Sequence, residues 1–456
     1  MSKSILITHA TVFTMDTNNR VLRDTGVYTE GDRIISIGPS ELLARQGFRP
    51  EITIDGSGKV ILPGLIDTHV HLIEAIMRGL VPDDVNLHLW LKEWLWPLQQ
   101  ACDASIGITS AELCIAEMLR TGTTCFLEAQ LHSNWGIEGM ARAVLDSGIR
   151  GNLSKMVIDT PSYDPTGGAS HPFAEDKGHS INTFRNLHRE LNGKGEVRLG
   201  IWLGVNNTRA CSDDLGRELN QVAIDHNTGL TMHVAETKVD LDNMSARGTT
   251  PGKWLEKTGL AGQMRVFAHG VWLTEQDISI LEKSGASVAH CPSSNMKLGS
   301  GVAPVTKMIQ SRLNVSLGCD GGPSNDCYDL IREMKTAALL HKVSNLDPRA
   351  ITATEVLRMA SINGAKAIGL EKEIGSIEVG KKADLVIIDL HDVRLYPPQG
   401  SDSNILYAAS GTDVSHVIID GRFVIEDRKF STIDEEELLL KTERETDRLL
   451  RVAGKT

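Results

Sequence analysis

The chain has 456 residues and a formal net charge of −12, which excludes a broad electrostatic grip on nucleic acid or on an anionic membrane surface. Hydrophobic residues make up 41% and charged residues 23% of the chain, a composition typical of a soluble globular protein. At about 150 residues per domain, this length allows two or three domains.

The sequence shows neither a recognisable targeting signal nor a disulfide pattern. No apolar run reaches the roughly 18 residues that span a membrane, and the first residues are too polar for a signal peptide. The seven cysteines are scattered and never form a C-x-x-C pair, which argues against a disulfide framework and a zinc finger. We therefore expect a cytoplasmic protein.

Both ends of the chain have the pattern of short β-strands separated by glycine and aspartate. The strand-like runs are residues 5–7, 33–37 and 52–54, and then 383–388, 416–419 and 423–425. Asp420-Gly421 between the last two runs is a strong hairpin signal. We expect the two ends to form one β-domain together; the alternative is two separate additions of edge strands.

In the middle of the chain, short apolar strands alternate with longer amphipathic segments. The strand-like runs are residues 60–66, 123–127, 197–205, 230–232, 266–268, 286–289 and 315–318. Repeated βα units predict a parallel barrel, in which the chemistry lies at the C-terminal ends of the strands. The expected units are residues 1–60 and 374–456 for the β-rich ends, and 61–373 for the barrel.

Two histidines, His69 and His71, follow the first of these strands. Alternate residues of an extended chain share a face, so both imidazoles can meet one metal ion. His233, His269 and Asp320 each come just after a later strand. Imidazole and carboxylate donors suit Zn²⁺, Fe²⁺ or Mn²⁺.

Glu236 lies three residues after His233, in the loop beyond a strand. A carboxylate near an activated water can take its proton and later pass it to a leaving group. The sequence therefore predicts a hydrolase that uses a divalent cation to activate water, with Glu236 as the proton carrier.

Several segments resemble the amidohydrolase superfamily. Residues 61–71 (ILPGLIDTHVH) resemble its first-strand signature, and later strand motifs are matched by 233–236 (HVAE), 268–270 (AHG) and 318–321 (GCDG). Residues 293–301 (SSNMKLGSG) and 324–326 (SND) resemble its deaminase and chlorohydrolase branch. The resemblance implies an α/β fold: a distorted (β/α)8 TIM-like barrel with a small β-sandwich built from both chain ends.

The same resemblance implies a site with one divalent metal ion, with Zn²⁺ the first choice and Fe²⁺ or Mn²⁺ the alternatives. The implied ligands are His69, His71, His233 and Asp320. The implied catalytic residues are Glu236, which shuttles the proton, His269, which polarises the substrate or the water, and Asp320.

A missing lysine supports one metal ion rather than two. Binuclear relatives carry a carboxylated, metal-bridging lysine at the end of the fourth strand. The candidate fourth strand, residues 197–205, contains no lysine. Lys155 lies in the preceding unit, where we expect a surface residue.

Enzymes of this branch act on purine, pyrimidine, pterin and triazine rings. Residues 77–79 (MRG), 83–84 (DD) and 90–91 (WL) are similar to those of the S-adenosylhomocysteine and methylthioadenosine deaminases. Two departures favour a bare heterocycle over a nucleoside. Gln99 stands where those enzymes carry a glutamate that grips the ribose hydroxyls, and Asn206 lies in a stretch where they carry a histidine. A neutral amide still binds a hydroxyl, but without charge-assisted strength.

Five residues are candidates for shaping the substrate pocket: Gln99, Asn206, Glu128, Trp94 and His290. Glu128 follows the strand over residues 123–127, so its carboxylate can face the barrel mouth and pair with ring N–H groups. The alternative role for Glu128 is that of a structural partner for nearby backbone. Trp94 is expected on a helix after the first strand, and His290 follows the seventh strand.

The leading hypothesis is an aminohydrolase that releases ammonia from an aromatic N-heterocycle. One alternative is hydrolytic displacement of chloride, alkylamine or thiolate from such a ring, and another is deamination of S-adenosylhomocysteine, methylthioadenosine or adenosine. A non-catalytic scaffold protein is disfavoured because every expected ligand is present. The resemblance suggests a homodimer or homotetramer that binds a small heterocycle and neither nucleic acid nor membrane.

Overall fold

The computed structural model of the chain describes residues 4–160, 172–398 and 401–455. Its strands form two sheets of nine strands each. One sheet is mixed and comes from both ends of the chain, and the other is parallel and comes from the middle.

The mixed sheet, called here the terminal sheet, confirms that the two ends fold together. Its strands are β1 (Ile5–Phe13), β2 (Val21–Glu30), β3 (Arg33–Pro39), β4 (Ile52–Asp55), β5 (Lys59–Pro63), β15 (Leu385–Asp389), β16 (Val414–Ile419), β17 (Arg422–Glu426) and β18 (Lys429–Phe430). β15 pairs antiparallel with β5 over five residue pairs, so the alternative of two separate additions is wrong.

The chain passes from the terminal sheet into the barrel at Gly64. One strand was expected over residues 60–66, whereas β5 ends at Pro63 and a second strand, β6 (Leu65–His71), begins the barrel. A Cβ atom at Gly64 would collide with the side chain of Thr124, so glycine lets the neighbouring strand approach closely. Because β6 runs to His71, both histidines of the H-x-H motif lie within the strand rather than after it.

Eight parallel strands form the barrel, and the last of them is split. They are β6, β7 (Thr123–Glu128), β8 (Arg150–Met156), β9 (Leu199–Asn207), β10 (Leu230–Val234), β11 (Arg265–His269), β12 (Ser287–His290) and β13 (Asn314–Leu317), continued by β14 (Asp320–Gly321). Neighbours pair in chain order, and β14 returns to pair with β6 and closes the ring. The expected distorted TIM-like barrel is confirmed, with a break between β13 and β14.

Strand β8 is the barrel strand that the apolar pattern did not predict. Its sequence, RGNLSKM, carries two cations that are buried all the same. The guanidinium of Arg150 donates to Asp384, just before β15, at 3.1 Å and to Asp420, in the turn between β16 and β17, at 2.8 Å. The expectation that Lys155 is a surface residue is wrong: it is 1% exposed, and its Nζ donates to Glu175 at 2.6 Å.

The helices lie between successive strands and after them. They are α1 (Ser40–Arg45), α2 (Leu87–Leu89), α3 (Trp96–Gln100), α4 (Ala104–Arg120), α5 (Ile137–Ser147), α6 (Lys177–Leu191), α7 (Lys194–Val197), α8 (Asp213–Asp225), α9 (Lys238–Ala246), α10 (Pro251–Thr258), α11 (Glu275–Ser284), α12 (Pro292–Lys297), α13 (Val305–Gln310), α14 (Gly322–Asn325), α15 (Leu330–Asn345), α16 (Ala353–Met359), α17 (Ile362–Ala367), α18 (Asp402–Ala408) and α19 (Glu435–Val452). Side chains at N-caps, such as Asp103 before α4, satisfy the first backbone N–H groups. None of the described helices combines the length and the apolarity needed to cross a membrane.

Two short helical turns that are not α-helical lie between β6 and α3. Residues Leu72–Met77 form a 3-10 helix and Trp90–Leu95 form a π-helical turn. π-helical turns are rare and are frequently found at functional sites. Both segments lie at the C-terminal side of the first barrel strand, where the chemistry of a barrel enzyme is expected.

Apolar side chains fill two main cores. The larger one packs the barrel against its helices and includes the fully buried Phe126 and Phe267. The smaller one lies within the terminal sheet and joins Ile7, Ile61 and Ile387, from both chain ends. The two ends of the chain are therefore held together by apolar packing as well as by strand pairing.

The buried pairing of Arg150 with the terminal sheet predicts a large stability effect. We expect Arg150→Met to lower the free energy of unfolding by about 3–5 kcal/mol, because Asp384 would be left buried without its cation. Urea unfolding followed by circular dichroism measures the change. The matched control is Arg217→Met, whose partner Asp214 is 89% exposed and whose loss costs at most about 1 kcal/mol. Equal, small losses in both variants would contradict a bracing role for Arg150.

Candidate metal centre and active site

The predicted ligands lie at the C-terminal ends of barrel strands. His69 and His71 lie on β6, His233 lies on β10, His269 ends β11, and Asp320 begins β14. His269 and Asp320 have φ angles of 71° and 67°, a conformation that costs a non-glycine residue about 1–3 kcal/mol. Such strain is concentrated at functional sites, so the two bends are consistent with a role there.

The side chains of these five residues converge on one point. One ligand atom from each of His69, His233, His269 and Asp320 lies within 4.8 Å of the others. His71 reaches the same point, since its Nε2 lies 3.2 Å from Nε2 of His233 and 3.2 Å from Oδ1 of Asp320. The four ligands implied by the family resemblance and the four residues whose donor atoms lie within 4.8 Å of one another share His69, His233 and Asp320. The fourth member is His71 in the first group and His269 in the second.

The donor atoms fit a divalent cation. Neither ring nitrogen of His69 has a hydrogen-bond partner among the described residues, although the ring is fully buried. Nδ1 of His233 donates to the carbonyl oxygen of Asn206 at 2.5 Å, so its Nε2 keeps a lone pair for a metal. Buried polar atoms without partners cost free energy unless something binds them, and nitrogen and carboxylate donors together suit zinc.

The electrostatics of the cluster also favour a cation. Burial lowers the pKa of His69 to about 4 and lowers the pKa of His233 well below its usual value, so both are neutral, as metal binding requires. Burial also lowers the pKa of His71, but the charges of Glu74 and Asp320 outweigh it and raise this pKa to about 10. The carboxylates thus favour positive charge at this point, which a divalent cation supplies in place of the proton.

Two residues of the SSN stretch orient the cluster from α12. The hydroxyl of Ser294 donates to Oδ2 of Asp320 at 2.5 Å, which leaves Oδ1 facing the histidines. Nδ1 of His269 donates to Oδ1 of Asn295 at 3.0 Å, which leaves its Nε2 free. Partners of this kind fix the tautomer and the orientation of groups at a metal site.

Glu236 lies beside His269, with 4.0 Å between its Oε2 and Nε2 of the imidazole. Both side chains line the same cavity. Burial raises the pKa of Glu236 to about 7, so its carboxyl group can hold and release a proton near neutral pH. This is the behaviour that a proton carrier needs.

The cavity that opens on the cluster brings most of the predicted residues together. It is lined by His71, His233, Glu236, His269, Asp320, Gln99 and Asn206. His69 is fully buried and is not part of this lining. The ligand cluster and two of the five candidate substrate-binding residues therefore share one cavity.

The other three candidate substrate-binding residues do not line this cavity. Glu128 is fully buried and accepts hydrogen bonds from two backbone N–H groups, which matches its alternative role as a structural partner. Trp94 lies under Nζ of Lys455, 4.2 Å from the ring centre. His290 is fully buried, and its Nε2 lies 2.9 Å from Nε2 of His341. All three side chains are therefore engaged in contacts outside the cavity lining.

Sequence reasoning missed an acidic residue of the cavity, Glu74. It is 3% exposed, it lies three residues after His71, and its Oε1 accepts a hydrogen bond from Nε2 of Gln99 at 2.9 Å. Burial raises its pKa to about 7. The one available signal was its spacing from His71, which equals the spacing of Glu236 from His233.

A chain of amides forms another part of the wall. Nδ2 of Asn206 donates to Oε1 of Gln130 at 2.9 Å, and Nδ2 of Asn207 donates to Oδ1 of Asn206 at 2.6 Å. Gln130, just after β7, and Asn207, the last residue of β9, were not predicted, because amides at strand ends give no distinctive sequence signal. The indoles of Trp90 and Trp96 also line the cavity.

A parallel barrel with imidazoles and a carboxylate converging at its strand ends, beside the cavity acid Glu236, is typical of a metal-dependent hydrolase. The chain belongs to the amidohydrolase family, and the match to this family spans residues 60–424. The family resemblance of the sequence motifs is thereby confirmed, and the chain is a hydrolase that acts on carbon–nitrogen bonds other than peptide bonds.

Two relatives are similar over most of the chain. A 5'-deoxyadenosine deaminase of Methanobrevibacter smithii is 38% identical over 400 residues, which cover 87% of this chain and 88% of the relative. A 5-methylthioadenosine/S-adenosylhomocysteine deaminase of Pelotomaculum thermopropionicum is 36% identical over 448 residues, which cover 98% of this chain and 99% of the relative.

Solved structures agree with the fold. An adenosine deaminase from Xanthomonas campestris with bound zinc has a TM-score of 0.90 and 29% identity, covering 98% of both chains. An atrazine chlorohydrolase from Arthrobacter aurescens complexed with zinc has a TM-score of 0.88 and 26% identity, covering 97% of this chain and 100% of the other. The fold is therefore shared by enzymes that remove amino groups and by enzymes that remove chloride.

The convergent donor set predicts the effect of removing one donor. We expect His233→Ala to lower metal affinity at least about 100-fold, because one of the converging nitrogen donors is lost. Metal analysis after dialysis, beside circular dichroism, measures this loss in a folded protein. The control is His179→Ala, an exposed histidine on α6, which should keep its metal. Full metal content in His233→Ala would remove this residue from the ligand set.

Proposed function

We propose that the chain is a zinc-dependent aminohydrolase that removes an amino group from an aromatic N-heterocycle of purine, pyrimidine, pterin or s-triazine type. The convergence of His69, His71, His233 and Asp320 beside the cavity residue Glu236 carries the proposal. We assign those four side chains as ligands of one Zn²⁺. Fe²⁺ or Mn²⁺ would accept the same donors, but the zinc in two similar structures supports zinc.

The residues of the site suit hydrolysis of a ring C–NH₂ group. When bound, the metal ion lowers the pKa of a water molecule and makes it nucleophilic at neutral pH. As the water oxygen bonds to the amino-bearing carbon, Glu236 takes a water proton and passes it to the adjacent ring nitrogen. Asp320 receives the remaining hydroxyl proton, which returns through Glu236 to the amino group. The carbon–nitrogen bond then breaks, and ammonia leaves a ring carbonyl behind.

His269 is assigned to holding the reacting groups. Its Nδ1–H is committed to Asn295, so its Nε2 is the atom left to face the water or the substrate. The neighbouring Glu236 carboxylate, at 4.0 Å, is close enough to act on the same molecule. Fixing both groups before the reaction removes the cost of reorganising them during it.

The hydrogen bonding of Gln99 supports a bare ring as substrate. Its Nε2 donates to Glu74, so this amide N–H is already engaged within the protein. At position 99 itself, a ribose hydroxyl would therefore meet a partly occupied amide rather than a carboxylate. Deamination of a nucleoside is the second candidate function, favoured by the names of the two similar deaminases. Displacement of chloride is a third, favoured by one similar structure.

We also propose that the protein works in the cytoplasm as a homodimer or homotetramer. The seven cysteines are free, and six of them are buried, which supports a reducing compartment. The oligomeric state rests on the family resemblance alone. Size-exclusion chromatography with light scattering measures it directly.

The assignment of Glu236 predicts a variant that binds metal but does not turn over. We expect Glu236→Gln to lower kcat for ammonia release by about 10²- to 10⁴-fold, because the amide cannot carry a proton. Its metal content should equal that of the parent protein. Glu256→Gln, which changes an exposed glutamate on α10, is the matched control and should keep full activity. Unchanged turnover in Glu236→Gln would refute the proton-carrier role.

The preference for a bare ring is tested with matched pairs of substrates. We expect the zinc-loaded chain to release ammonia from adenine and 2,6-diaminopurine with a higher kcat/KM than from adenosine and methylthioadenosine. A coupled ammonia assay with product identification by mass gives both the rate and the leaving group. A higher kcat/KM for the nucleosides would favour the second candidate function, and loss of chloride from a chlorinated ring without loss of amine would favour the third.

A further inference from the structure

Glu74 is an acid of the cavity wall to which the mechanism gives no part. It lies on the 3-10 turn Leu72–Met77 directly after β6, and it is 3% exposed. Oε1 accepts the hydrogen bond from Gln99, and within the described chain Oε2 accepts none. A carboxylate oxygen can accept two hydrogen bonds, so this side chain retains capacity for partners that enter the cavity.

Neither lysine nor arginine of the described cavity wall balances the charge of Glu74; the basic group beside it is the imidazole of His71, with Nδ1 3.9 Å from Oε1. Of the described residues that line the cavity, three are acidic (Glu74, Glu236 and Asp320), and lysine and arginine are absent. Asp320 belongs to the ligand set and Glu236 carries the proton in the proposed reaction. Glu74 is left as an acceptor that faces incoming molecules, and buried acceptors of this kind require a donor.

Gly321 makes the room that Glu74 occupies. A Cβ atom at position 321 would collide with Oε2 of Glu74. The next residue after Asp320 must therefore be glycine for this carboxylate to lie where it does. The carboxylate of Glu74 therefore lies directly against the turn that carries the metal-ligand candidate Asp320.

Trp90 supplies a hydrogen-bond donor, whereas Glu74 supplies an acceptor. It lies on the π-helical turn Trp90–Leu95, is 3% exposed, and lines the same cavity as Glu74. Its Nε1–H is buried and has no hydrogen-bond partner among the described residues. Indole N–H groups usually find a partner when they are buried, so this donor is available to a ligand.

We infer that Glu74 and Trp90 form a recognition pair for the edge of an amino-substituted heterocycle. Glu74 accepts hydrogen bonds from amino or ring N–H groups, and Trp90 donates to a ring nitrogen or a carbonyl oxygen. The favoured ligand is a neutral or cationic ring with at least two amino substituents, one to be removed and one to be recognised. Rings with anionic substituents are excluded. This inference rests on the proposed function and narrows its substrate class.

A competing role for Glu74 is orientation of His71. Oε1 of Glu74 lies 3.9 Å from Nδ1 of His71, which is too long for a hydrogen bond, and that Nδ1 has no partner among the described residues. Under the competing role, removing the acid lowers metal content and affects all ligands alike. Under the recognition role, metal content is unchanged and the effect depends on the N–H groups of the ligand.

The test measures ligand binding without turnover. Zinc-loaded Glu236→Gln protein is titrated calorimetrically with 2,6-diaminopurine and with 2,6-dimethoxypurine, whose substituents lack N–H groups. The same titrations use 2,4,6-triamino-1,3,5-triazine and its trimethoxy counterpart. We expect Glu74→Gln, added to this background, to weaken binding of the amino rings about 10- to 100-fold, as for a charged hydrogen bond, and to leave the methoxy rings within about twofold.

Two further variants separate the members of the pair. Trp90→Phe, which removes the N–H and keeps an aromatic ring, should weaken amino and methoxy rings alike by about 2- to 10-fold, as for a neutral hydrogen bond. Gly321→Ala should reproduce the selective loss of Glu74→Gln. The controls are Glu93→Gln, an exposed acid on the same turn as Trp90, and Trp94→Phe, whose indole lies outside the cavity lining; both should bind every ring as the parent does.

Three results would overturn the inference: no preference for the amino ring in either ring system, an equal loss for amino and methoxy rings in Glu74→Gln, or a loss of zinc from that variant. The last result would make Glu74 a positioning residue for His71. Because binding is measured without turnover, these outcomes are independent of whether the parent protein releases ammonia, which is what tests the proposed function.

Discussion

Buried negative charge at the mouth of the barrel is the constraint on which the rest of the structure depends. Asp67, Glu74, Glu128 and Asp320 are all buried around the histidine cluster, and burial raises the pKa of the first three to about 7. Such groups cost several kcal/mol each unless they are paired. Backbone N–H groups pair with Asp67 and Glu128, but the described cavity wall offers neither lysine nor arginine. A metal ion bound at the histidine cluster would balance this charge.

The architecture holds those acids and imidazoles together although they lie far apart in the sequence. Asp320 reaches His69 because β14 returns to pair with β6, with Asp320 opposite Val70. The terminal sheet contributes as well, since the buried ion pairs of Arg150 join barrel strand β8 to Asp384 and Asp420. Both ends of the chain therefore brace the barrel, and the geometry of the site depends on parts of the chain that never touch substrate.

The sequence predicts the residues that obey simple patterns and misses those that depend on partners. His69, His71, His233, His269 and Asp320 follow apolar runs, so a barrel rule alone brings them together. Strand β8 was not predicted because Arg150 and Lys155 are residue types that are usually solvent-exposed. Their burial is explained only by their acidic partners, Asp384 and Glu175. The residues of the cavity wall are even more difficult to predict from the sequence. Glu74 and Trp90 lie on a 3-10 turn and a π-helical turn, which hydrophobic periodicity does not predict, and their roles depend on which atoms lack partners.

The amide of Gln99 and the acid of Glu74 depend on each other, because the two side chains are in direct contact. A glutamate at position 99 would place a second carboxylate about as close to Oε1 of Glu74 as the amide nitrogen is now, 2.9 Å away. Two like charges at this separation repel by roughly 6 kcal/mol even at an effective dielectric constant of about 20. The chain therefore keeps a neutral residue at one position because it keeps an acid at the other. The metal centre determines how the bond is cut. Gln99 and Glu74 together place negative charge of the pocket on the first turn after β6, where it can accept hydrogen bonds from the N–H groups of a ring.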